Sequence, residues 1–175
     1  MKRIWIAGSA GSGKTTLSNL LGKKFNIPVY HRDLVTWDEN DNIRSEEEQV
    51  LMLKEITKKE TWIFDGARFT ASRVDGRLDR CDTIIYMNLN RFLCLYRGLK
   101  RAYLHSKDTT IQKEEKQPFR FEHIKGVLID YPKKSKQRLN IFCEAQQRGI
   151  NVIILNSRNE VASFCNKIIN SNSTE

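Results

Sequence analysis

Cysteine is sparse in this sequence and poorly spaced for either of its structural uses. The four that occur, Cys81, Cys94, Cys143 and Cys165, include no C-x-x-C pair and have no histidine at zinc-finger spacing. That argues against a structural zinc and a disulfide framework and for a reducing, cytoplasmic compartment. Histidine is scarcer still: His31, His105 and His123 are too scattered to build a metal centre or a triad. No apolar stretch approaches the roughly 18 residues of a membrane span, so no membrane partner is expected. The apolar run at residues 4–7 follows Lys2 and Arg3 as the core of a signal peptide would, but glycines and Lys14 interrupt it within a few residues; it reads as a first strand. Internal repeats are absent, and only residues 171–175 read as a loose tail. Acidic residues are in deficit. The 21 Asp and Glu set against 30 Lys and Arg leave a formal charge of +9, so the expected partners are anionic: a phosphate ester, nucleic acid or an acidic surface.

What is present suits one compact domain over residues 1–175, with 39% hydrophobic and 29% charged residues. Short apolar runs at 3–7, 61–64, 83–87 and 151–155, with a weaker one at 28–31 led by a proline, read as strands buried on both faces. Leu17, Leu20, Leu21 and Phe25 recur at helical spacing and predict a helix over 14–25. A second helical pattern follows the acidic Glu46-Glu47-Glu48, within an acceptor-side segment at 34–60, and a third starts near Arg91. Strands alternating with helices indicate βαβ units and a parallel sheet covered on both faces. The basic excess is local: residues 91–138 hold 13 basic and 5 acidic side chains. Residues 104–138 are expected to form a basic lid, whose stretch 106–121 lacks periodicity and reads as a flap.

The chemistry enters at Gly8-Ser9-Ala10-Gly11-Ser12-Gly13-Lys14-Thr15, which matches G-x-x-x-x-G-K-[ST] between a strand and a helix. Glycines let the loop turn its amides onto phosphate oxygens, and the following helix adds unpaired N–H groups and partial positive charge. Lys14 is expected on the β- and γ-phosphates and the Thr15 hydroxyl on Mg²⁺. The nucleotide-binding set is Gly8, Ser9, Ala10, Gly11, Ser12, Gly13, Lys14, Thr15 and Thr16, joined by Arg97 and Arg158. An acid near the metal is expected at a neighbouring strand end, where Trp62-Ile63-Phe64-Asp65-Gly66 places Asp65. Asp33 stands likewise after the weak second strand, as metal-water acceptor or as the base for an acceptor hydroxyl. Trp37 and Arg68, with Asp65 in a second role, complete the expected acceptor-side residues. No N-K-x-D signature occurs, which disfavours a GTPase, and the chain is too short for a helicase core; small kinases remain.

These residues resemble adenylate-kinase-like small kinases, and more closely the DNA-topology-modulation (FlaR-type) proteins of that superfamily. The similarity spans nearly the whole chain. It rests on residues 3–16, on Ile27-Pro28-Val29-Tyr30-His31-Arg32-Asp33 with Trp37, on Trp62 to Gly66, on Arg77-Leu78-Asp79-Arg80-Cys81-Asp82-Thr83, and on Arg91-Phe92-Leu93-Cys94-Leu95-Tyr96-Arg97 with Arg101. The resemblance implies an α/β three-layer P-loop NTPase fold with a five-stranded parallel sheet and a helical or loop lid, ATP and Mg²⁺ as donor and cofactor, and a small anionic or hydroxyl acceptor. It implies that Arg97 and Arg101 lead into the lid and contact nucleotide and phosphates, and that Arg138 returns from the lid, all three stabilising charge on the transferring group. There are departures. Adenylate kinases continue Asp-Gly with Phe-Pro-Arg, whereas Arg68 here comes one residue early with no proline; FlaR-type proteins carry Asn-Tyr after Asp-Gly and an Asp ending strand four, where this chain has Ala67-Arg68 and Asn88. The acceptor pocket is therefore expected to differ from that of its relatives. A competing and less favoured reading, a nucleotide-dependent DNA-binding protein, draws on the basic segment, which has no helix-turn-helix pattern.

Overall fold

The computed structural model describes residues 1–107 and 124–170. In chain order the elements are β1 (Arg3–Gly8), α1 (Lys14–Phe25), β2 (Val29–His31), α2 (Arg32–Thr36), α3 (Glu46–Lys58), β3 (Trp62–Asp65), α4 (Arg77–Arg80), β4 (Thr83–Met87), α5 (Arg91–Lys107), a π-helical turn at Gly126–Asp130, α6 (Tyr131–Lys133), α7 (Ser135–Gln147), β5 (Asn151–Leu155) and α8 (Arg158–Asn170). The five strands form one parallel sheet in the order β2-β3-β1-β4-β5, as expected from the alternation of apolar runs and helical patterns.

The central strands β1 and β4 are largely apolar because both of their faces are covered. Along β1, Trp5 and Ala7 face one cluster while Ile4 and Ile6 face the other; along β4, Ile84 and Tyr86 alternate with Ile85 and Met87 in the same way. The first cluster is closed by Leu53 and Ile56 of α3, Leu78 of α4, and Ile141, Phe142 and Ala145 of α7. The second is closed by Leu17 and Leu21 of α1 and Ile168 of α8. α3 begins with a capping box in which Ser45 and Glu48 exchange hydrogen bonds. The carboxylate of Asp82 accepts from the amides of Lys2 and Arg3, both at 2.8 Å, and ties the entry of β1 to the start of β4.

Three strands differ in their bounds from the sequence reading: β1 runs one residue further, through Gly8. β3 runs one residue later, so Asp65 is its last member and not the residue after it, and β2 has only three residues, since Pro28 donates no hydrogen bond and stays outside the strand. Of the expected lid, residues 108–123 lie outside the described residues, as does the tail at 171–175. The described part after 123 holds the π-helical turn, α6 and the start of α7. The 34–60 segment contains the end of α2, a turn closed by a bridge between Trp37 and Ile43, and α3. Among the described residues no helix is long and apolar enough to cross a membrane.

Candidate active site

β1 and α1 are joined by the glycine-rich loop, and the loop's shape follows from two of its glycines. Gly11 has φ +75° and Gly13 φ +94°, a region that costs an L side chain of order 1–3 kcal/mol. Gly11 also lies so close to α5 that a Cβ there would sit 2.1 Å from the Cys94 carbonyl oxygen. Gly13 is the N-cap of α1 and supplies no side chain to cap it, so the first-turn N–H groups face the loop's concavity. Within the loop the Ser12 amide donates to the Ser9 carbonyl at 3.2 Å and Lys14 Nζ donates to the same carbonyl at 2.9 Å. Burial holds the Lys14 pKa below the usual lysine range, opposed chiefly by the charge of Asp65. The hydroxyls of Ser9 and Ser12 are buried without a hydrogen-bond partner among the described residues. Gly8 is buried at the strand end, while Ala10, Thr15 and Thr16 are exposed around the rim.

Asp65, the acid singled out in the sequence, ends β3 beside the loop. Register pairs Ile6 with Asp65, which brings the carboxylate over the start of α1, where its Oδ2 accepts from Thr15 Oγ1 at 2.7 Å. The same oxygen lies 3.3 Å from His31 Nδ1, a neighbour that sequence spacing does not reveal, since His31 reaches Asp65 only through the pairing of β2 with β3.

Beside the loop opens a cleft of about 490 Å³, within the usual range for small-molecule sites, roughly 300–1,000 Å³. Its floor is Gly11, Ser12, Gly13 and Thr16; one wall is α5, with Arg97 and Arg101, and the other is α8, with Arg158. The structure thus brings three arginines of the sequence reading, from two distant segments, to one cavity with the loop. In the apolar remainder of the lining, Leu17 and Leu20 entered the sequence reading only as part of a helical face, and Met87, Leu89, Val161 and Ala162 were not singled out as site residues. Small and branched apolar residues are ordinary core residues until the fold leaves them facing space.

On the other side of the loop, Asp33 stands exposed in the first turn of α2 and Trp37 caps that helix. Arg68 donates to Glu46 Oε1 and Gln49 Oε1 of α3, each at 2.5 Å. The backbone that carries Arg68 is held from below: Trp5 Nε1 donates to the Gly66 carbonyl at 2.7 Å, and the Arg77 guanidinium donates to the carbonyls of Gly66 at 3.4 Å and Arg68 at 2.5 Å. Arg77 and its partner Asp75 are fully buried and 2.8 Å apart, with the guanidinium 4.6 Å over the Trp5 ring and 5.0 Å over Phe64. Arg77 entered the sequence reading only as part of a resemblance; its organising role is a finding of the tertiary structure.

Arg138 is placed elsewhere. It is buried, its Nη1 donates to the Tyr131 carbonyl at 2.5 Å, and its guanidinium lies 4.0 Å over the Tyr131 ring and 5.8 Å from that of Tyr86. The signal was available in the sequence: Arg138, Ile141, Phe142 and Ala145 fall on one helical face, and all four are buried. Among the described residues no group of three or more His, Cys, Asp and Glu is arranged to hold a metal by itself.

No protein-family model matches the chain, and no curated protein matches it in sequence. Solved structures do match its fold. A shikimate kinase from Bacteroides thetaiotaomicron aligns over 97% of this chain and 97% of its own, with a TM-score of 0.61 and 19% identity. A shikimate kinase from Acinetobacter baumannii in complex with shikimate aligns over 100% and 96%, with a TM-score of 0.57 and 16% identity. A gluconokinase from Sinorhizobium meliloti 1021 aligns over 95% and 89%, with a TM-score of 0.54 and 10% identity. These are P-loop kinases of the adenylate-kinase-like type, the broader group that the sequence resembles; the narrower FlaR-type likeness has no support from them. By its sheet, its loop and its neighbours, the chain has a shikimate-kinase-like P-loop NTPase fold.

Proposed function

We propose that this protein is an ATP- and Mg²⁺-dependent phosphotransferase acting on a small-molecule or nucleotide acceptor. The observation that carries the reading is the juxtaposition of the Lys14 loop and the Thr15 to Asp65 hydrogen bond with a cleft walled by Arg97, Arg101 and Arg158. A fold alone does not specify chemistry; this set of side chains at the strand ends is what supports it. The residues fit the absent groups. The partnerless Ser9 and Ser12 hydroxyls and the uncapped first turn of α1 are donors suited to phosphate oxygens, and Thr15 with Asp65 offers the hydroxyl and carboxylate that suit Mg²⁺. When bound, Mg²⁺ would offset charge on the β- and γ-phosphates.

In the proposed reaction an acceptor hydroxyl attacks the γ-phosphorus, its proton passes to the Asp33 carboxylate, the new O–P bond forms as the bond to the β,γ-bridging oxygen breaks, and ADP leaves with that electron pair. Lys14, Arg97 and Arg101 hold charge on the moving phosphoryl group, and Arg158 borders the nucleotide. Arg138, engaged by Tyr131, is left out of this set. The test is incubation with Mg²⁺ and ATP against nucleosides, nucleotides, polyols and hydroxy acids, followed by ³¹P NMR. A phosphorylated product that requires Mg²⁺ is the expected result. Slow release of inorganic phosphate across the whole panel, with no new ester, overturns the reading.

The DNA-binding reading retains one favourable observation: α5 carries basic residues and no acidic ones. Two of those arginines line the cleft, which weakens the case. DNA affinity falling steeply with salt, with a slope near −0.9 per phosphate contacted, would revive it.

A further inference from the structure

Resting on the phosphotransferase reading, we infer that His31 is a positioning residue for the cation site: its Nδ1–H and the Thr15 hydroxyl together hold one oxygen of the Asp65 carboxylate, which keeps the second oxygen for Mg²⁺ or a water on it.

The sheet puts the histidine there. His31 and Asp65 are abreast in the pairing of β2 with β3, and side chains abreast in adjacent strands lie on one face of the sheet. That face is the one α1 covers. Val29 and Ile63, two residues earlier in each strand, pack with Leu17 and Leu21 of that helix, while Tyr30 and Phe64 belong to the opposite cluster. Asp65 is therefore met from two sides, by Thr15 from the start of α1 at 2.7 Å and by His31 from the edge strand at 3.3 Å. Both reach Oδ2, so neither occupies Oδ1.

A carboxylate needs such holding. Rotation of an aspartate about χ2 is soft, and a single hydrogen bond still lets the group pivot about the oxygen that accepts it. A second donor from another element restrains that pivot. Lys14 does not supply it, since its Nζ donates to the Ser9 carbonyl at 2.9 Å. Thr15 can serve the carboxylate and a cation together, because a hydroxyl that gives a lone pair to Mg²⁺ keeps its proton for Asp65. Exposure separates the fixed member from the covering one: the Asp65 side chain is 6% exposed and that of His31 31%, so the imidazole covers the carboxylate from the solvent side. A carboxylate only accepts, hence Nδ1 carries the proton and the tautomer is set. The arrangement is the carboxylate–imidazole pairing that orients metal ligands, with the order reversed: the carboxylate stands toward the cation and the histidine behind it.

The test reads metal-dependent nucleotide affinity, not turnover. Binding of the non-hydrolysable ATP analogue AMPPNP is measured calorimetrically at constant ionic strength, with excess Mg²⁺ and again with EDTA, and the ratio of the two affinities is the contribution of the cation. His31→Leu should lower that ratio about tenfold or more, with the EDTA affinity within about twofold of the parent. His31→Asn should keep most of the ratio, because an asparagine amide nitrogen is bonded to Cγ as Nδ1 is. His31→Gln, whose amide lies one bond further out, should lose it, and serves in place of His31→Leu should the latter fail to fold. A ratio in His31→Leu within about twofold of the parent, or an equal fall in affinity with and without Mg²⁺, overturns the positioning role and leaves the phosphotransferase reading standing. A parent that binds AMPPNP no better with Mg²⁺ than with EDTA overturns the cation site and the role of His31 with it. No AMPPNP binding under either condition overturns the phosphotransferase reading as well.

Discussion

The two sides of the strand-end crevice are built from different materials. The donor side is made mainly of backbone: eight consecutive residues with two glycines at positive φ and an uncapped helix start, where the identities of Ser9 and Ala10 matter little to the shape. The acceptor side is made of side chains gathered from α2, α3 and the loop after β3, with Arg68 held by Glu46 and Gln49 above and its backbone held by buried Arg77 below. A backbone-made site is fixed by conformational need and tolerates little variation in its glycines. A side-chain-made site can be recomposed while the fold stays the same, which is how this chain can depart from the patterns it resembles just after Asp65-Gly66.

The comparison can be broken most severely from below the acceptor side. Arg77→Met leaves the buried Asp75 carboxylate without its counter-charge, only the backbone amide of residue 77 still donating to it, and should cost roughly 3–5 kcal/mol of stability, measured by denaturant unfolding; a loss below about 1 kcal/mol, a typical surface value, would show that side chains do not hold this half together. On the donor side Lys14→Ala should lower turnover roughly 10²–10³-fold, by analogy with removal of a single preorganised electrostatic donor, with little change in melting temperature. Lys14 also sets a pH response. Its folded-state pKa is depressed, so the ammonium is lost at a lower pH than in the unfolded chain. Affinity for Mg²⁺·ATP should therefore fall as pH rises through that depressed value, and Lys14→Arg should abolish the fall. In the window between the depressed pKa and the ordinary one the unfolded chain binds more protons, so the contribution of Lys14 to stability rises with pH there.

Gly11→Ala and Gly149→Ala form a matched pair. Both positions have positive φ, but only at Gly11 would the new methyl meet a backbone oxygen, while nothing lies within 4 Å at Gly149. Gly149→Ala should cost about 1–3 kcal/mol from φ alone, and Gly11→Ala clearly more, because the loop and α5 must separate; equal losses by chemical denaturation would mean that the close approach is not structural. The smallest effect is expected of Ser45→Ala, which removes the capping box of α3 and should cost about 1 kcal/mol. Since α3 carries the acceptor-side Glu46 and Gln49 and covers the sheet face opposite α1, Mg²⁺·ATP affinity should not change, and a change would show that the two sides are coupled.

The difference in material also explains what was legible. The loop, the helix over 14–25, the strand runs and Asp65 could be read directly, because each depends on residues close together in the chain: a glycine spacing, a period of 3.6, an apolar run, a carboxylate at its end. Arg97 and Arg101 could be read as one helical face, and Arg138 also belonged to a readable face, one that packs against Tyr86 and Tyr131 and not toward the cleft. The place of Arg32 beside Gly66 could not be read, since the two are brought together by the pairing of β2 with β3. Nor could the apolar wall from α8, which faces the loop across more than a hundred residues of chain.

Sequence alone determined that a glycine-rich loop of the G-x-x-x-x-G-K-[ST] pattern follows the first strand of a parallel α/β domain, because glycine conformation and side-chain periodicity are local constraints that no distant contact has to supply. The tertiary structure decided which charges meet. It buried Arg77 with Asp75, spent Arg138 on a tyrosine and paired Arg68 with a surface carboxylate, since electrostatic interactions depend on distances and desolvation that only the packed sheet and its helices define.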